Sequence, residues 1–342
     1  MATRADVARL AGVSASTVTY ALTGSRPISE ETRQRIHAAM EELGYTPNAM
    51  AAGLAGGRSR IVALLFPAGE RGMSNTDLRY VIGAANAARE LGYHLLAWPT
   101  AGRDLDDVTQ LSRAGMVDGV ILMEVRLEDE RVEALKRAGI PFSLIGRTAD
   151  TSGLTYADAD FDAISSLAID YLQGLGHETV AFLNGPERLT RAQYGATLRV
   201  ESGFLAAASA RGVAATAFAC EHTVAAGREA LASIVKAEPD VTAIVAMNEE
   251  ATVGLVQAAQ ARGLEIPRDL SVLSLASSSS FAEVTWPPLT TISPPAEAIG
   301  GAAARALIRA LGHTEVEPDP QLWAGDLVER ASTGPVRRRR RR

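Results

Sequence analysis

The sequence predicts an α/β protein in which a small helical N-terminal domain precedes two lobes, each built on a doubly wound parallel sheet. Three observations predict it. Residues 4–43 carry helical periodicity punctuated by cap and turn residues, with no strand pattern. From Ile61 onward short apolar strands alternate with amphipathic helices, and the alternation restarts after Asp160. Strands alternating with helices mean parallel sheets, and two successive sets mean two lobes.

Taken in order, a first helix is expected from about Arg4 to Leu10 and a second from about Ala15 to Leu22. Val7, Ala8 and Ala11 form a small apolar face, Gly12-Val13 turns the chain, Ser14 is placed to cap the second helix, and Val18 and Leu22 face inward. This is the shape of a helix-turn-helix, whose second helix enters the DNA major groove. A third helix begins after Ser29, with Glu30 and Glu31 in its first turn, Ile36, Met40 and Leu43 at helical spacing and Gly44 past its end. Between Tyr45 and Arg60 little can be buried, so this stretch reads as a linker.

In the body, Ile61–Phe66, Tyr93–Trp98, Gly119–Leu122 and Phe142–Ile145 read as the first set of strands. After Asp160 come a helix from Ala163 to Leu175, a strand in Gly176–Leu183, a helix from Gly203 to Ala210, and strands at Ala243–Ala246 and Leu270–Leu275. Ligands of such folds sit at the carboxyl ends of the strands, here in the cleft between lobes.

Composition narrows the class. The 342 residues suffice for two or three domains. One cysteine, Cys220, excludes an internal disulfide and a cysteine-based zinc cluster. No signal peptide or bilayer-length apolar run is visible, so a cytoplasmic location and no membrane partner are expected. Residues 1–60 hold seven Lys or Arg against five Asp or Glu, Arg337–Arg342 add six positive charges, and the chain's net charge of −6 leaves −14 for the middle. An acidic body repels DNA, which confines contact to the head and the basic tail. No G-x-G-x-x-G follows the first strand, and neither a P-loop lysine motif nor a G-x-S-x-G elbow is present. An enzyme is therefore not expected, and no cofactor or metal is implied. Gly300-Gly301 reads as tight packing, and Trp98 and Trp286 read equally as core or ligand platforms.

Asp6-Val7-Ala8, Ala11-Gly12-Val13-Ser14, Thr17-Val18, Glu31-Thr32-Arg33, Leu43-Gly44-Tyr45, Pro47-Asn48, Ala51 and Leu54 together resemble the lactose-repressor (LacI/GalR) family of bacterial transcription regulators. The likeness continues through Val117-Asp118-Gly119, Gly139-Ile140-Pro141, Leu175-Gly176-His177, Gly185-Pro186, Pro267-Arg268-Asp269 and Leu289-Thr290-Thr291 to Ala331-Ser332-Thr333. It implies a DNA-binding head at 1–46, a hinge at 47–60, an effector-binding and dimerising core related to periplasmic binding proteins at 61–333, and a basic tail at 334–342. Within the core, an N-lobe of about 61–158 and 289–320 and a C-lobe of about 159–288 and 321–333 are expected. The DNA contacts it implies are Thr3, Ser14, Ala15, Ser16, Thr17, Thr19, Tyr20, Ser29 and Thr32, with base reading centred on Ala15, Ser16, Thr17 and Tyr20. In the hinge they are Asn48, Ala51 and Leu54, the last a minor-groove wedge. Gly53 makes that hinge helix costly by about 1 kcal/mol relative to Ala.

For the effector the resemblance implies Asp160, Arg199, His222, Asn248, Glu249 and Ala276. Several depart from the family pattern. Glu249 replaces an Asp after Asn248, and Ala276 stands where a sugar-gripping carboxylate is usual. Arg199 lies one place from the family's pocket arginine, and His222 falls where some relatives place a stacking aromatic. Asn248 also reads as a simple helix cap, and Arg199 as a solvated helix residue. Glu187, Arg188 and Arg191 read as a polar loop. The expected protein is a homodimeric regulator, a repressor released from a near-palindromic operator by a small sugar-like effector. A corepressor-dependent or activating regulator, or a ligand sensor with a degenerate head, stays open. Gly334-Pro335-Val336 and six arginines cannot form a zipper, so a dimer rather than a tetramer is expected.

Overall fold

A computed structural model describes residues 2–23, 26–45, 58–67, 73–100, 109–110, 112–312 and 317–336. The head contains α1 (Arg4–Ala11), α2 (Ala15–Thr23) and α3 (Glu30–Glu42). Thr3 caps α1 in a capping box with Asp6, and Gly12 ends it at φ +65°, a left-handed turn that a glycine adopts without steric cost. The Ser14 hydroxyl accepts from Thr17 N at 3.1 Å and caps α2 as expected; Ser29 caps α3 through Thr32 N at 3.2 Å. Val7, Val18 and Ile36 are fully buried where the three helices meet, with Leu22, Met40 and Leu43 packed around them.

The first lobe holds β1 (Ile61–Pro67), α4 (Asn75–Glu90), β2 (His94–Thr100), β3 (Gly119–Leu122), α5 (Glu130–Ala138), β4 (Phe142–Ile145) and β5 (Tyr156–Ala159). The second holds α6 (Phe161–Gly174), β6 (Thr179–Asn184), α7 (Glu187–Arg191), α8 (Gly195–Ala210), β7 (Ala214–Ala219), α9 (Val224–Ala237), β8 (Ala243–Ala246), α10 (Glu249–Ala261), β9 (Ser271–Leu275) and α11 (Ser279–Ala282). The chain then alternates between lobes through β10 (Thr290–Ser293), α12 (Ala296–Gly312), β11 (Pro320–Trp323) and β12 (Asp326–Val328). The sheets run β11-β5-β4-β3-β1-β2 and β12-β10-β9-β8-β6-β7, the same order twice, and among the described strands only the β10–β12 pair is antiparallel.

This pairing corrects the expected lobe boundaries. Thr290–Ser293 lies beside β9 in the second sheet, so the return to the first lobe comes after Ser293, not at 289. Pro320–Trp323 pairs along its whole length with β5, so the last crossing falls after Trp323, not at 320. α8 begins eight residues before the expected Gly203, because its first turns are small or polar and Tyr194 makes no side-chain cap. Gly334–Val336, expected in the tail, also belong to the core: Gly334 N donates to Ser271 Oγ and Val336 N to the Leu175 carbonyl. Glu187–Arg191 forms the short helix α7 rather than a loop. Trp286 is not core, being 80% exposed, and it does not line the cavity between the lobes.

Packing fixes α4 against α12. A Cβ on Gly83 would lie 2.0 Å from the Glu297 carbonyl oxygen and one on Gly300 2.0 Å from that of Tyr80, so the two backbones touch only because both positions lack side chains. The tight-packing reading of Gly300 is thereby met. This contact orients the start of α4, which forms one wall of the cleft.

Candidate functional site

Two regions carry chemistry. In the head, Ala15 and Ser16 are exposed on α2, with Thr17, Thr19 and Tyr20 half-buried beside them. Hydroxyls dominate this face: Ser14 Oγ pairs with Ser16 Oγ at 2.7 Å and Thr17 Oγ1 at 2.8 Å, while Thr19 Oγ1 donates to the Ala15 carbonyl at 3.0 Å. Arg4 donates to Thr19 Oγ1 at 3.1 Å, and the Arg26 guanidinium stacks over the Tyr20 ring at 5.2 Å. α2 carries no acidic residue in its first turn. Thr3 and Ser29 are exposed and Thr32 half-buried at the starts of α1 and α3. A convex face of small hydroxyls and an aromatic, flanked by arginines, suits groove and phosphate contact. Asn48, Ala51, Gly53 and Leu54 lie outside the described residues.

The second region is the cleft. A cavity of about 120 Å³ lies between the lobes, walled by the carboxyl ends of both sheets. The first lobe supplies the start of α4 (Thr76, Asp77, Tyr80), Glu124 after β3, Arg147 after β4 and Asp158 of β5. The second supplies Asn184 from β6, Tyr194, His222 after β7, Asn248 to Glu250 at the start of α10, and Ala276 after β9.

Of the sequence-predicted effector residues, four reach this cavity and two do not. Glu249 is 9% exposed; its carboxylate accepts from Thr76 Oγ1 of the other lobe at 3.0 Å and from Ser278 N at 3.2 Å. Burial raises its pKa, with the repulsion of Glu250 and Asp77 adding to the effect. Asn248 lines the cavity, but its amide serves the fold: Oδ1 caps α10 through Ala251 N at 3.1 Å and Nδ2 donates to the Cys220 carbonyl at 3.1 Å. The helix-cap reading therefore describes its side chain. His222 stands against Gly185, and Ala276 takes φ +53°, a left-handed conformation unusual for alanine.

Asp160 is instead the N-cap of α6, accepting from Ala163 N at 3.0 Å, and does not line the cavity. Arg199 also points away: its guanidinium donates to the Arg147 and Thr148 carbonyls, each at 2.9 Å. The charged pair that does line the cavity is Arg147–Asp158, N to O 2.9 Å, with Asp158 only 7% exposed. Burial pushes the Asp158 carboxyl up to about 6 against the pull of Arg147 and Arg199. Sequence reasoning missed both, although Arg147 follows Gly146 immediately beyond a strand, the position where ligands of such sheets are met.

The lobes are joined beside the cavity by backbone bonds as well. Leu127 N donates to the Gln193 carbonyl at 2.8 Å and Gly195 N to the Val125 carbonyl at 2.9 Å. A Cβ on Gly195 would stand 2.6 Å from Arg199 Nη1 and 3.1 and 3.2 Å from the Val125 and Arg147 carbonyl oxygens, so a side chain here would crowd the crossing and press on Arg199. Groups from both lobes thus close on one small polar space. Among the described residues no set of three His, Cys, Asp or Glu is placed to hold a metal ion, and no helix is long and apolar enough to cross a membrane.

Comparison with known proteins matches both regions. A family model described as bacterial regulatory proteins, lacI family, covers residues 3–48, and one described as a periplasmic binding protein-like domain covers 169–333. The HTH-type transcriptional regulator AglR of Rhizobium meliloti (strain 1021) is 31% identical, the match covering 97% of this chain and 94% of AglR. MalR of Streptomyces coelicolor (strain ATCC BAA-471 / A3(2) / M145) is 30% identical with 97% of each chain covered. Among solved structures, the complex of the transcriptional regulator CelR with cellobiose superposes with TM-score 0.71 at 26% identity, over 97% of this chain and all of that one. The lac repressor dimer bound to operator and the anti-inducer ONPF shares the fold, with TM-score 0.81 at 22% identity over 97% and 99% of the two chains.

Proposed function

Because this chain belongs to the lacI family of bacterial regulatory proteins, we propose that it is a sequence-specific transcriptional repressor, acting as a homodimer on a near-palindromic operator and released by a small molecule bound between its lobes. The observation that carries this is the joining of an exposed, hydroxyl-bearing α2 face to a cleft in which Thr76 of one lobe bonds Glu249 of the other. A ligand that rearranges that contact changes how the lobes sit together, and a dimer's paired heads feel such a change. Base reading by Ala15 and Ser16 is modest, since alanine offers only apolar contact and serine discriminates poorly among bases. That CelR is known with cellobiose supports a sugar-like effector.

Binding-site selection with the full chain, followed by fluorescence anisotropy on the selected duplex, tests this. Expected are a two-fold symmetric consensus and an affinity that falls steeply with salt. Equal affinity for selected and scrambled duplexes overturns the reading and favours a ligand sensor with a degenerate head. Tightening of operator binding by the effector supports corepressor logic instead.

A further inference from the structure

The chain enters the first lobe through a fixed point. Asp118, half-buried at the amino end of β3, gathers three donors on one carboxylate: Oδ1 accepts from Ser59 N at 2.7 Å and from Ser59 Oγ at 2.8 Å, and Oδ2 accepts from Arg60 N at 2.8 Å. Ser59 Oγ accepts in turn from Ile61 N at 3.2 Å, while Asp118 N donates to the Ile61 carbonyl and His94 N to the Arg60 carbonyl, each at 2.8 Å. Hydrogen bonds to an ionised group are about twice as strong as neutral ones. Together they hold Arg60 at φ +56°, in the left-handed region that a residue with a Cβ disfavours roughly 5- to 30-fold. Arg60 is exposed, so these backbone bonds, rather than side-chain packing, account for its conformation. The clamp is also tied to the cleft. Val117 and Gly119 on either side of Asp118 are buried, and a Cβ on Gly119 would stand 3.0 Å from both the Leu307 side chain and the Pro141 carbonyl, so α12 and the start of β4 close tightly on this point. β3 is buried throughout, and the residues past its far end, Met123 and Glu124, line the cavity about 20 Å away.

Resting on the reading of the chain as an operator-binding regulator, we infer that Asp118 is a positioning residue for DNA binding: its clamp on Ser59 and Arg60 sets the direction in which the linker leaves the first lobe and makes the end of that linker move with the sheet that reaches the cleft. Asp118 acts through the backbone of those two residues, not by touching DNA. An untied linker end samples more directions, and ordering it again on the operator weakens specific binding. Non-specific binding rests on phosphate charge and does not need two heads in one register.

The test uses the full-length chain and the duplex that it selects. Hydrogen exchange at the Ser59 and Arg60 amides reports the clamp itself, whatever the chain binds. Asp118→Asn, whose amide cannot accept on both sides, is expected to speed that exchange and to weaken binding of the selected duplex about tenfold, with the loss confined to that duplex and absent from a scrambled one. Arg60→Gly and Arg60→Val give a second comparison should the first variant melt early. Both delete the same charge, but only glycine takes the left-handed turn freely, so the glycine variant is expected to bind the selected duplex about five times or more tighter than the valine variant. Equal affinities of the two Arg60 variants overturn the proposal, as does operator binding that Asp118→Asn leaves unaltered although exchange has quickened, or an equal loss on both duplexes. Fast exchange at Ser59 and Arg60 in the unaltered chain overturns the clamp alone, whereas an unaltered chain that selects no duplex overturns the regulatory reading and the positioning role with it.

Discussion

Replacing Arg147 with Met isolates what the buried charge pair contributes. Asp158 is 7% exposed and its partner nitrogen lies 2.9 Å away, so the substitution leaves a carboxylate in a poorly solvated place with its nearest counter-charge gone. Breaking a buried pair in this way costs about 3–5 kcal/mol. The cost depends on pH. The folded Asp158 carboxyl titrates at about 6, above its ordinary 3.8, so between those values the native chain holds a proton that the unfolded chain has released. The stability contributed by this group is therefore complete below about pH 3.8 and lost as pH rises through about 6. Removing Arg147 deletes a charge that lowers the pKa and moves the loss to still higher pH. Urea unfolding of Arg147→Met should show most of its deficit at pH 8 and little at pH 5, where Asp158 is largely protonated in both proteins. The double variant with Asp158→Asn should recover most of the deficit, because a neutral pair carries no unpaired charge. Equal deficits at the two pH values, or a loss below about 1 kcal/mol at pH 8, would refute the argument that burial governs Asp158.

Three further outcomes are expected. Ala276→Gly relieves a left-handed alanine worth about 1–2 kcal/mol while loosening the unfolded chain by about 0.4–1, so urea unfolding should show a stability gain of up to about 1 kcal/mol; a loss would mean that the Ala276 methyl packs usefully in the cleft. Thr3→Ala removes the capping box of α1 and should cost the head about 1 kcal/mol, seen as weaker operator binding with the melting of the body unchanged. Gly53→Ala, outside the described residues, should favour a hinge helix by about 1 kcal/mol per subunit and tighten operator binding about tenfold with non-specific binding unaltered; weaker specific binding would instead make Gly53 a packing contact between hinges.

The head was legible from the sequence almost residue by residue. Its signals are local: Thr3, Ser14 and Ser29 each bond a backbone N–H three places on, Gly12 turns the chain, and each helix carries an apolar face that ends in one small core, with Val7, Val18 and Ile36 contributed by one helix each. The strands β1, β3, β4, β8 and β9 were legible too, because a strand buried on both faces is a short apolar run whatever its neighbours. The start of α8 was not, since glycine, alanine and threonine in its first turns carry no helix signal and no cap residue precedes them.

The cleft divides along the same line. The family resemblance pointed to Asn248, Glu249, His222 and Ala276 at strand ends, and these positions line the cavity. It named Asp160 and Arg199, and did not see Asp158 and Arg147, which the cavity holds instead. Asp158 and Asp160 stand two residues apart, and nothing local tells a carboxylate at the end of β5 from one that caps α6. Arg199 turns away because the loop after β4, some fifty residues earlier in the chain, presents two carbonyls to its guanidinium. The lobe crossings at Ser293 and Trp323 were likewise settled by which strand lies alongside β9 and β5. Periodicity, caps and turns are written in neighbouring residues, so the sequence determined the elements and the kind of protein they build. Which polar side chain faces the cavity and which serves the fold depends on hydrogen-bond partners far along the chain, and only the packed lobes bring those partners together.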